Sequence, residues 1–366
     1  MTHEVRAVVV REKGAPASVE TVLVPDPGPG EVLVRVDACG ICPVDLHHRE
    51  GRAAASYPVL LGHEAAGVVE AAGAGTRLAP GDFVVLNWRA PCGSCRLCRR
   101  GRPWHCRVPL RAARSTALPD GAEPAPVLGV GGFAEKTLVA EGQCVRVDPA
   151  VSPVAAALLG CGVLTGFGAA VRTGAVGRGD SVAVIGCGTV GLAAVAGARA
   201  AGARRVVGVD TDGRRLDRAE RLGATGTVDA SRIDPADGVR ALTDGLGADV
   251  VVDATGTART ARQALRATAS TGVAVLASAP GQGELGAPGA VVELPLRDLH
   301  ACGAALCTSW YGDSLPSRDL PALVDLHLAG RLDLGAFQGE RLALADVAGV
   351  LARAANSGGA VVLPGR

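Results

Sequence analysis

Aromatic residues are scarce: nine of 366 positions are Phe, Tyr or Trp. So thin a supply leaves no stacking platform for single-stranded nucleic acid and requires a core of Val, Leu and Ala. Net charge is lacking too. Thirty-seven basic against thirty-six acidic side chains leave +1, no electrostatic footprint for nucleic acid or an anionic membrane surface. Lysine is confined to Lys13 and Lys136 beside many arginines, a compositional bias that says little about function. No apolar run is long enough to cross a bilayer, and the opening MTHEVRAVVVREKG passes straight into strand-like alternation without the apolar middle of a secretory signal. These absences predict a cytoplasmic protein whose partners are small molecules, with no nucleic acid and no membrane among them.

What is present supports a substantial fold. With 48% hydrophobic and 20% charged residues the chain can bury a large core, and its length corresponds to two domains at roughly 150 residues each. Eleven cysteines in a reducing compartment, and an odd number, do not form a disulfide framework. They are metal ligands, catalytic thiols or small core residues, and spacing must separate these.

From Arg6 to about Ala150 the chain reads as short strands divided by Gly and Pro turns, among them EVLVRVDACG, GHEAAGVVEAAG and GDFVVLNW. From Ser152 apolar strands alternate with Ala- and Arg-rich helices: SVAVIG, GLAAVAGARAAG, RVVGVD, GRRLDRAERLG, DVVVDATG, ARTARQALRATAS and GVAVLAS. That rhythm predicts βαβ units and a parallel sheet. After Ala304 a mixed tail returns, with helices near Asp319–Ala329 and Leu344–Ala355. The predicted fold class is α/β, a doubly wound parallel sheet over 163–304 and a mostly β domain over 1–162 and 305–366. The Pro-, Ala- and Arg-rich segment 107–131 reads as a long surface loop.

Gly186-Cys187-Gly188-Thr189-Val190-Gly191 follows the strand SVAVI and opens a helix. The first glycine permits the tight turn, the second lets backbone approach a pyrophosphate, and the third lets the helix lie close to the strand. Alone in a chain of 51 glycines the motif is weak. Its place between strand and helix strengthens it, as does Asp210 at the end of the next strand. A carboxylate there accepts hydrogen bonds from ribose hydroxyls and repels a 2′-phosphate, favouring NAD over NADP. Arg214 and Arg215 temper that preference, since either can face a phosphate.

Cys92, Cys95, Cys98 and Cys106 form C-x2-C-x2-C-x7-C. Four thiolates this close suit one tetrahedral Zn²⁺, and a full Cys₄ set leaves no position for substrate, so the site is structural. An iron–sulfur cluster is the competitor, but its bacterial pattern has a shorter last interval followed by Pro.

GEVLVRVDACGICPVDLHHREG, YPVLLGHEAAGVVEAAGAGTRLAPGDFVV, the four-cysteine segment, LLGCGVLTGFGAAV and VAVIGCGTVG stand in the order of the zinc-dependent medium-chain alcohol dehydrogenases. The resemblance spans essentially the whole chain. Within that family, LNWRAPCGSCRLCRRGRP, EGQCVRVDPA and SWYGDSLP look most like actinobacterial mycothiol-dependent formaldehyde dehydrogenases. The resemblance implies a Rossmann domain beside a GroES-like catalytic domain, two Zn²⁺ per chain, and a homodimer or homotetramer. It implies that Cys42, His63 and Cys161 bind a catalytic zinc with one open position. Glu64 is then a carboxylate near the metal, Asp45 the carboxylate that orients His63, Thr165 a neighbour of the nicotinamide and Trp88 a pocket wall.

The chain also departs from that family. Val44 stands where a Ser or Thr hydroxyl usually starts the proton relay, although His47 holds its distal position. Pro43 replaces a basic residue, and Ala360 stands where an Arg is often found. Three readings follow. One is a dehydrogenase acting on an alcohol or a hydroxymethyl thiol adduct. Another is a reductase of a conjugated alkene or imine that needs no such relay, and the third is a non-catalytic binding protein. Complete metal ligands weigh against the last. Cys39, Cys144, Cys187, Cys302 and Cys307 remain as small buried hydrophobes.

Overall fold

The computed structural model describes residues 1–53, 56–277, 291–294, 300, 303–353 and 359–365. The chain forms two compact units: Met1–Cys161, Leu315–Ala329 and Phe337–Arg366 make the first, Gly162–Ser314 and Gly330–Ala336 the second. The sequence division after 304 falls ten residues before the observed return at Leu315. Ala305–Thr308 pairs in parallel with Thr268–Leu276, which keeps the chain in the second unit.

The strands of the first unit are β1 (Thr2–Val10), β2 (Ser18–Pro25), β3 (Glu31–Gly40), β4 (Val59–Leu60), β5 (Glu64–Ala72), β6 (Phe83–Leu86), β7 (Ala125–Pro126), β8 (Lys136–Ala140), β9 (Cys144–Arg146) and, late in the chain, β16 (Arg341–Leu342) and β17 (Val361–Val362). One sheet has the order β2-β1-β4-β7; the larger one runs β16-β17-β3-β5-β6-β9, with β8 also on β3. The alternation of β1 serves two cores at once. Val8 and Val10 face one cluster, and Val5, Ala7 and Val9 face another, as a period of two requires. In β3, Val32, Val34 and Val36 join the first cluster and Leu33 the second.

The second unit holds β10 (Ser181–Ile185), β11 (Arg205–Asp210), β12 (Gly226–Asp229), β13 (Ala248–Asp253), β14 (Thr268–Leu276) and β15 (Ala305–Thr308). All pair in parallel, in the order β12-β11-β10-β13-β14-β15. Strand order reverses beside β10, the switch point at which such sheets bind ligands beyond their carboxyl ends. Helices Thr189–Ala200, Gly213–Arg221 and Ala258–Ala267 lie where the sequence places them. Helix Pro235–Leu242, capped by the Asp234 carboxylate, was not foreseen.

Three further expectations change. Segment 107–131 is not simply a surface loop, since Leu118, Val127 and Val130 are buried and Leu110 and Ala117 bridge to Ala90 and Leu23. Cys39 and Cys187 are fully buried, whereas Cys144 and Cys307 are half-buried on strands near sheet edges; Cys302 lies outside the described residues. The tail helix runs Val347–Arg353 after a short 3₁₀ turn, and Ala355 lies outside the described residues. Among the described residues no single helix is long and apolar enough to cross a membrane.

Candidate active site

Cys42 ends the run that follows β3 and caps helix Pro43–Arg49, with Pro43 at its first position. Proline lacks the N–H that this position leaves unpaired in any case. Three residues on, the fully buried Asp45 carboxylate reaches back. It accepts from Cys42 N at 3.1 Å, from Gly62 N at 3.0 Å, and from His63 Nδ1 at 3.3 Å. One carboxylate thus ties together two stretches of chain that are distant in sequence. Gly62 has φ 91°, and a Cβ there would stand 2.3 Å from Phe133 N, so glycine alone lets His63 enter. Glu64 pairs across the sheet with Gly40, where a Cβ would lie 2.5 Å from the Glu64 carboxylate.

Donor atoms of Cys42, His63, Glu64 and Cys161 all lie within 4.8 Å of one another. With the Nδ1–H of His63 donating to the Asp45 carboxylate, Nε2 is the ring nitrogen left to bind a cation; it is buried and has no hydrogen-bond partner among the described residues. Such an orphan is costly unless something fills its place. The Cys161 hydrogen bond, then burial, pushes the Cys42 thiol well up. At Cys161 the bond from Cys42 acts downward, and burial with Glu64 and Asp45 outweighs it. Burial drives His63 down, but Asp45 and Cys42 together raise it well above its ordinary range. Two thiols, an imidazole nitrogen and a carboxylate crowded in apolar surroundings fit a divalent cation, which would satisfy every one of them.

Val44 packs on Cys42 and Cys161 and presents an isopropyl group there. His47 is buried, its Nδ1 has no partner among the described residues, and burial and then Arg52 lower its pKa. Ala360 is buried, its carbonyl accepting from Ile41 N at 2.8 Å. Trp88 packs against the cluster, as does Leu128, a residue that no motif singles out. Leu128 takes φ 53° without being glycine, and the only hint of a turn is Gly129 after it.

Cys92, Cys95, Cys98 and Cys106 form the second cluster, again with donor atoms within 4.8 Å. Cys95 Sγ lies 3.5 Å from Cys98 Sγ and 4.0 Å from Cys106 Sγ. Backbone N–H groups of Cys92 and Cys95 point at Cys106 and Cys92 sulfurs, both at 3.3 Å. Backbone donors lower Cys95 to about 6 while burial raises Cys98 to about 12. Four sulfurs and no other donor make a closed set, suited to one tetrahedral ion.

In the second unit the glycine turn has the three properties its motif needs. Gly186 has φ 90°; a Cβ on Gly188 would meet nothing within 4 Å; one on Gly191 would stand 1.7 Å from Gly186 O. Asp210 Oδ2 accepts from Cys187 N at 2.7 Å, and Oδ1 from Thr211 N and Asp212 N at 2.8 and 3.0 Å. Arg215 approaches Asp210 at 3.7 Å, while Arg214 is 89% exposed beside Asp212. Thr165 sits on helix Gly162–Gly168, whose Gly166 lies against the Val190 carbonyl of the glycine turn.

A family model for the alcohol dehydrogenase GroES-like domain matches residues 28–149, and one for the zinc-binding dehydrogenase matches 189–329. The S-(hydroxymethyl)glutathione dehydrogenase of Escherichia coli O157:H7 is 33% identical over 355 residues, 93% of this chain and 94% of that protein. The fold superposes on an alcohol dehydrogenase zinc-binding domain protein from Burkholderia ambifaria with TM-score 0.92, 33% identity and complete coverage of both chains. Benzyl alcohol dehydrogenase from Acinetobacter calcoaceticus gives TM-score 0.89 at 28% identity, with 99% of each chain covered. A zinc-binding dehydrogenase from Sinorhizobium meliloti bound to NADP gives 0.83 at 29%, over 99% of this chain and all of that one.

Proposed function

Because this chain belongs to the zinc-dependent medium-chain alcohol dehydrogenases, we propose that it is an NAD-dependent enzyme with one catalytic and one structural zinc site, oxidising an alcohol or a hydroxymethyl thiol adduct. The observation that carries this reading is the convergence of Cys42, His63, Glu64 and Cys161 on one point. Zinc held by these residues would supply a Lewis acid for a hydroxyl or carbonyl oxygen, and NAD would supply the hydride acceptor. The chain's own residues do the rest. Asp45 fixes the His63 ring and its tautomer, Trp88 and Leu128 shield the cluster, and Asp210 offers a carboxylate to ribose hydroxyls. Cys92, Cys95, Cys98 and Cys106 hold the structural ion.

The thiol adduct is favoured by the relative that acts, by its name, on S-(hydroxymethyl)glutathione, and by the wording shared with mycothiol-dependent enzymes. Val44 favours a second reading, a reductase of a conjugated alkene or imine, because a valine passes no proton. NADH formation from formaldehyde, measured with and without mycothiol, separates the two from each other when set beside NADH consumption with aldehydes and enals. A rate that rises with the thiol supports the adduct; NADH consumption with an enal that yields the saturated aldehyde, and none with saturated aldehydes, supports the reductase and overturns the first reading.

A further inference from the structure

Both walls beside the candidate metal cluster are held by one buried polar frame within the first unit. Trp88 and Leu128 flank Cys42, Val44 and Cys161. A left-handed leucine persists only where its surroundings over-determine it, and here they do. Gln143, fully buried, donates Nε2 to Gly129 O at 3.0 Å and accepts Ala140 N at 3.2 Å. The backbone carbonyl of Gln143 accepts from Asn87 N at 2.8 Å and from Asn87 Nδ2 at 3.0 Å. Asn87, also fully buried, accepts Arg89 N at 3.1 Å.

From Arg89 the frame leaves the pocket and enters the four-cysteine lobe. Its Nε donates to Trp104 O at 3.0 Å and its Nη2 to Cys106 O at 2.5 Å, while the guanidinium lies 5.9 Å from the centre of the Trp88 ring. Burial lowers the Arg89 pKa, and the Cys106 and Cys98 sulfurs pull it back up. A satisfied buried network of this kind fixes one geometry and excludes its neighbours.

We propose that Arg89, Asn87 and Gln143 set the spacing of Trp88 and Leu128, so that Arg89 is a specificity-determining positioning residue and the four-cysteine lobe is the anchor of the substrate pocket. This rests on reading Cys42, His63 and Cys161 as the catalytic metal site. Arg89 touches no reacting atom. It acts through the wall it braces, and its removal changes which substrates fit without changing how cofactor binds.

The test compares Arg89→Met, which keeps the stem against Trp88, with Arg89→Lys and Gln143→Met. In each, kcat/KM is measured for benzyl alcohol and for ethanol, together with KM for NAD and zinc per chain. The benzyl-to-ethanol ratio shifts by about fivefold or more in both Met variants, with KM for NAD within about twofold and zinc retained, and Arg89→Lys recovers part of the wild-type ratio. An unchanged ratio in both Met variants overturns the proposal. A second readout needs no substrate. With Trp104 and Trp310 replaced by Phe, Trp88 is the one indole emitter; Arg89→Met and Gln143→Met each raise its quenching by acrylamide. Quenching that stays constant in both variants also overturns the proposal. A wild-type protein that oxidises no alcohol would defeat the functional reading instead, and the quenching result would still decide the frame.

Discussion

Asp45 spends its two oxygens on three donors, two of them backbone N–H groups beside the candidate ligands Cys42 and His63. Asp45→Asn turns one oxygen into an N–H that faces another N–H, at a cost of about 1–3 kcal/mol for a buried unpaired donor. The expected result is a loss of zinc affinity at that site of about 10- to 100-fold. Competition with a chelator should release one zinc per chain from the variant while the four-cysteine ion stays as an internal control; release of both together would contradict it. Val44 is the complementary case. It packs on Cys42 and Cys161 at the position where the family resemblance leads one to expect a hydroxyl, and His47, on the same helix, has an Nδ1 with no partner among the described residues. Val44→Thr is expected to raise the alcohol oxidation rate at neutral pH by about tenfold or more, since a positioned proton acceptor commonly contributes about 10²–10⁴. An unchanged rate would show that the proton leaves by another route. Val44 was legible through the family resemblance, as the residue two places after the candidate ligand Cys42. The threefold use of Asp45 was not, because Gly62 comes to it from the connection between β4 and β5, 17 residues further along the chain.

At the scale of elements, the glycine turn and the loop after β13 meet. Thr255 Cγ2 lies 2.5 Å from where a Gly186 Cβ would be. Asp253, at the end of β13, accepts Thr255 N at 2.9 Å, Thr255 Oγ1 at 2.6 Å and Thr260 Oγ1 at 3.0 Å. Burial raises the Asp253 carboxyl above its ordinary range, against those hydrogen bonds, which pull it down. A carboxyl raised on folding stabilises the native state below its unfolded pKa, and that contribution is lost as pH rises through the folded value. Asp253→Asn removes the dependence. Relative to wild type, the variant should therefore gain stability on going from about pH 4 to about pH 7 in denaturant titrations; a difference that stays constant with pH would refute the assignment. The strands here were legible because a sheet covered on both faces demands unbroken runs such as SVAVI and DVVVD. The broken helical stretch Pro153–Ala157, Leu158–Gly160, Gly162–Gly168 and Ala169–Thr173 was not. It is Ala- and Gly-rich and buried nearly all round, so no apolar stripe of period 3.6 marks it.

The whole molecule repeats the contrast. Two units were foreseeable from the change in texture at Ser152, but the late return of the chain at Leu315 was not, because the sixth strand ALCT is four residues of ordinary composition. The scarcity of aromatics makes the two units separable by experiment. Trp88 and Trp104 belong to the first unit, and Trp310 to the second. With Trp88 and Trp104 replaced by Phe, fluorescence follows the second unit alone; with Trp88 and Trp310 replaced, Trp104 follows the four-cysteine lobe. A ligand that binds only the native state stabilises by RT ln(1 + [L]/Kd), about 2.7 kcal/mol at a hundredfold excess over Kd. NADH should therefore raise the Trp310 midpoint. NADPH at equal concentration should raise it less, because its 2′-phosphate would meet Asp210, whose carboxylate is held by three backbone N–H groups and cannot swing away. Arg215, 3.7 Å from Asp210, offsets part of that repulsion, so Asp210→Gly should bring the two cofactors closer together and Arg215→Ala should drive them apart. Equal shifts by NADH and NADPH in the wild type would refute the cofactor preference. Chelation of zinc should act on the other reporter, lowering the Trp104 transition, since without an ion Cys92, Cys95, Cys98 and Cys106 are held by contacts among their sulfurs, short helical turns and the Arg89 bonds to Trp104 O and Cys106 O.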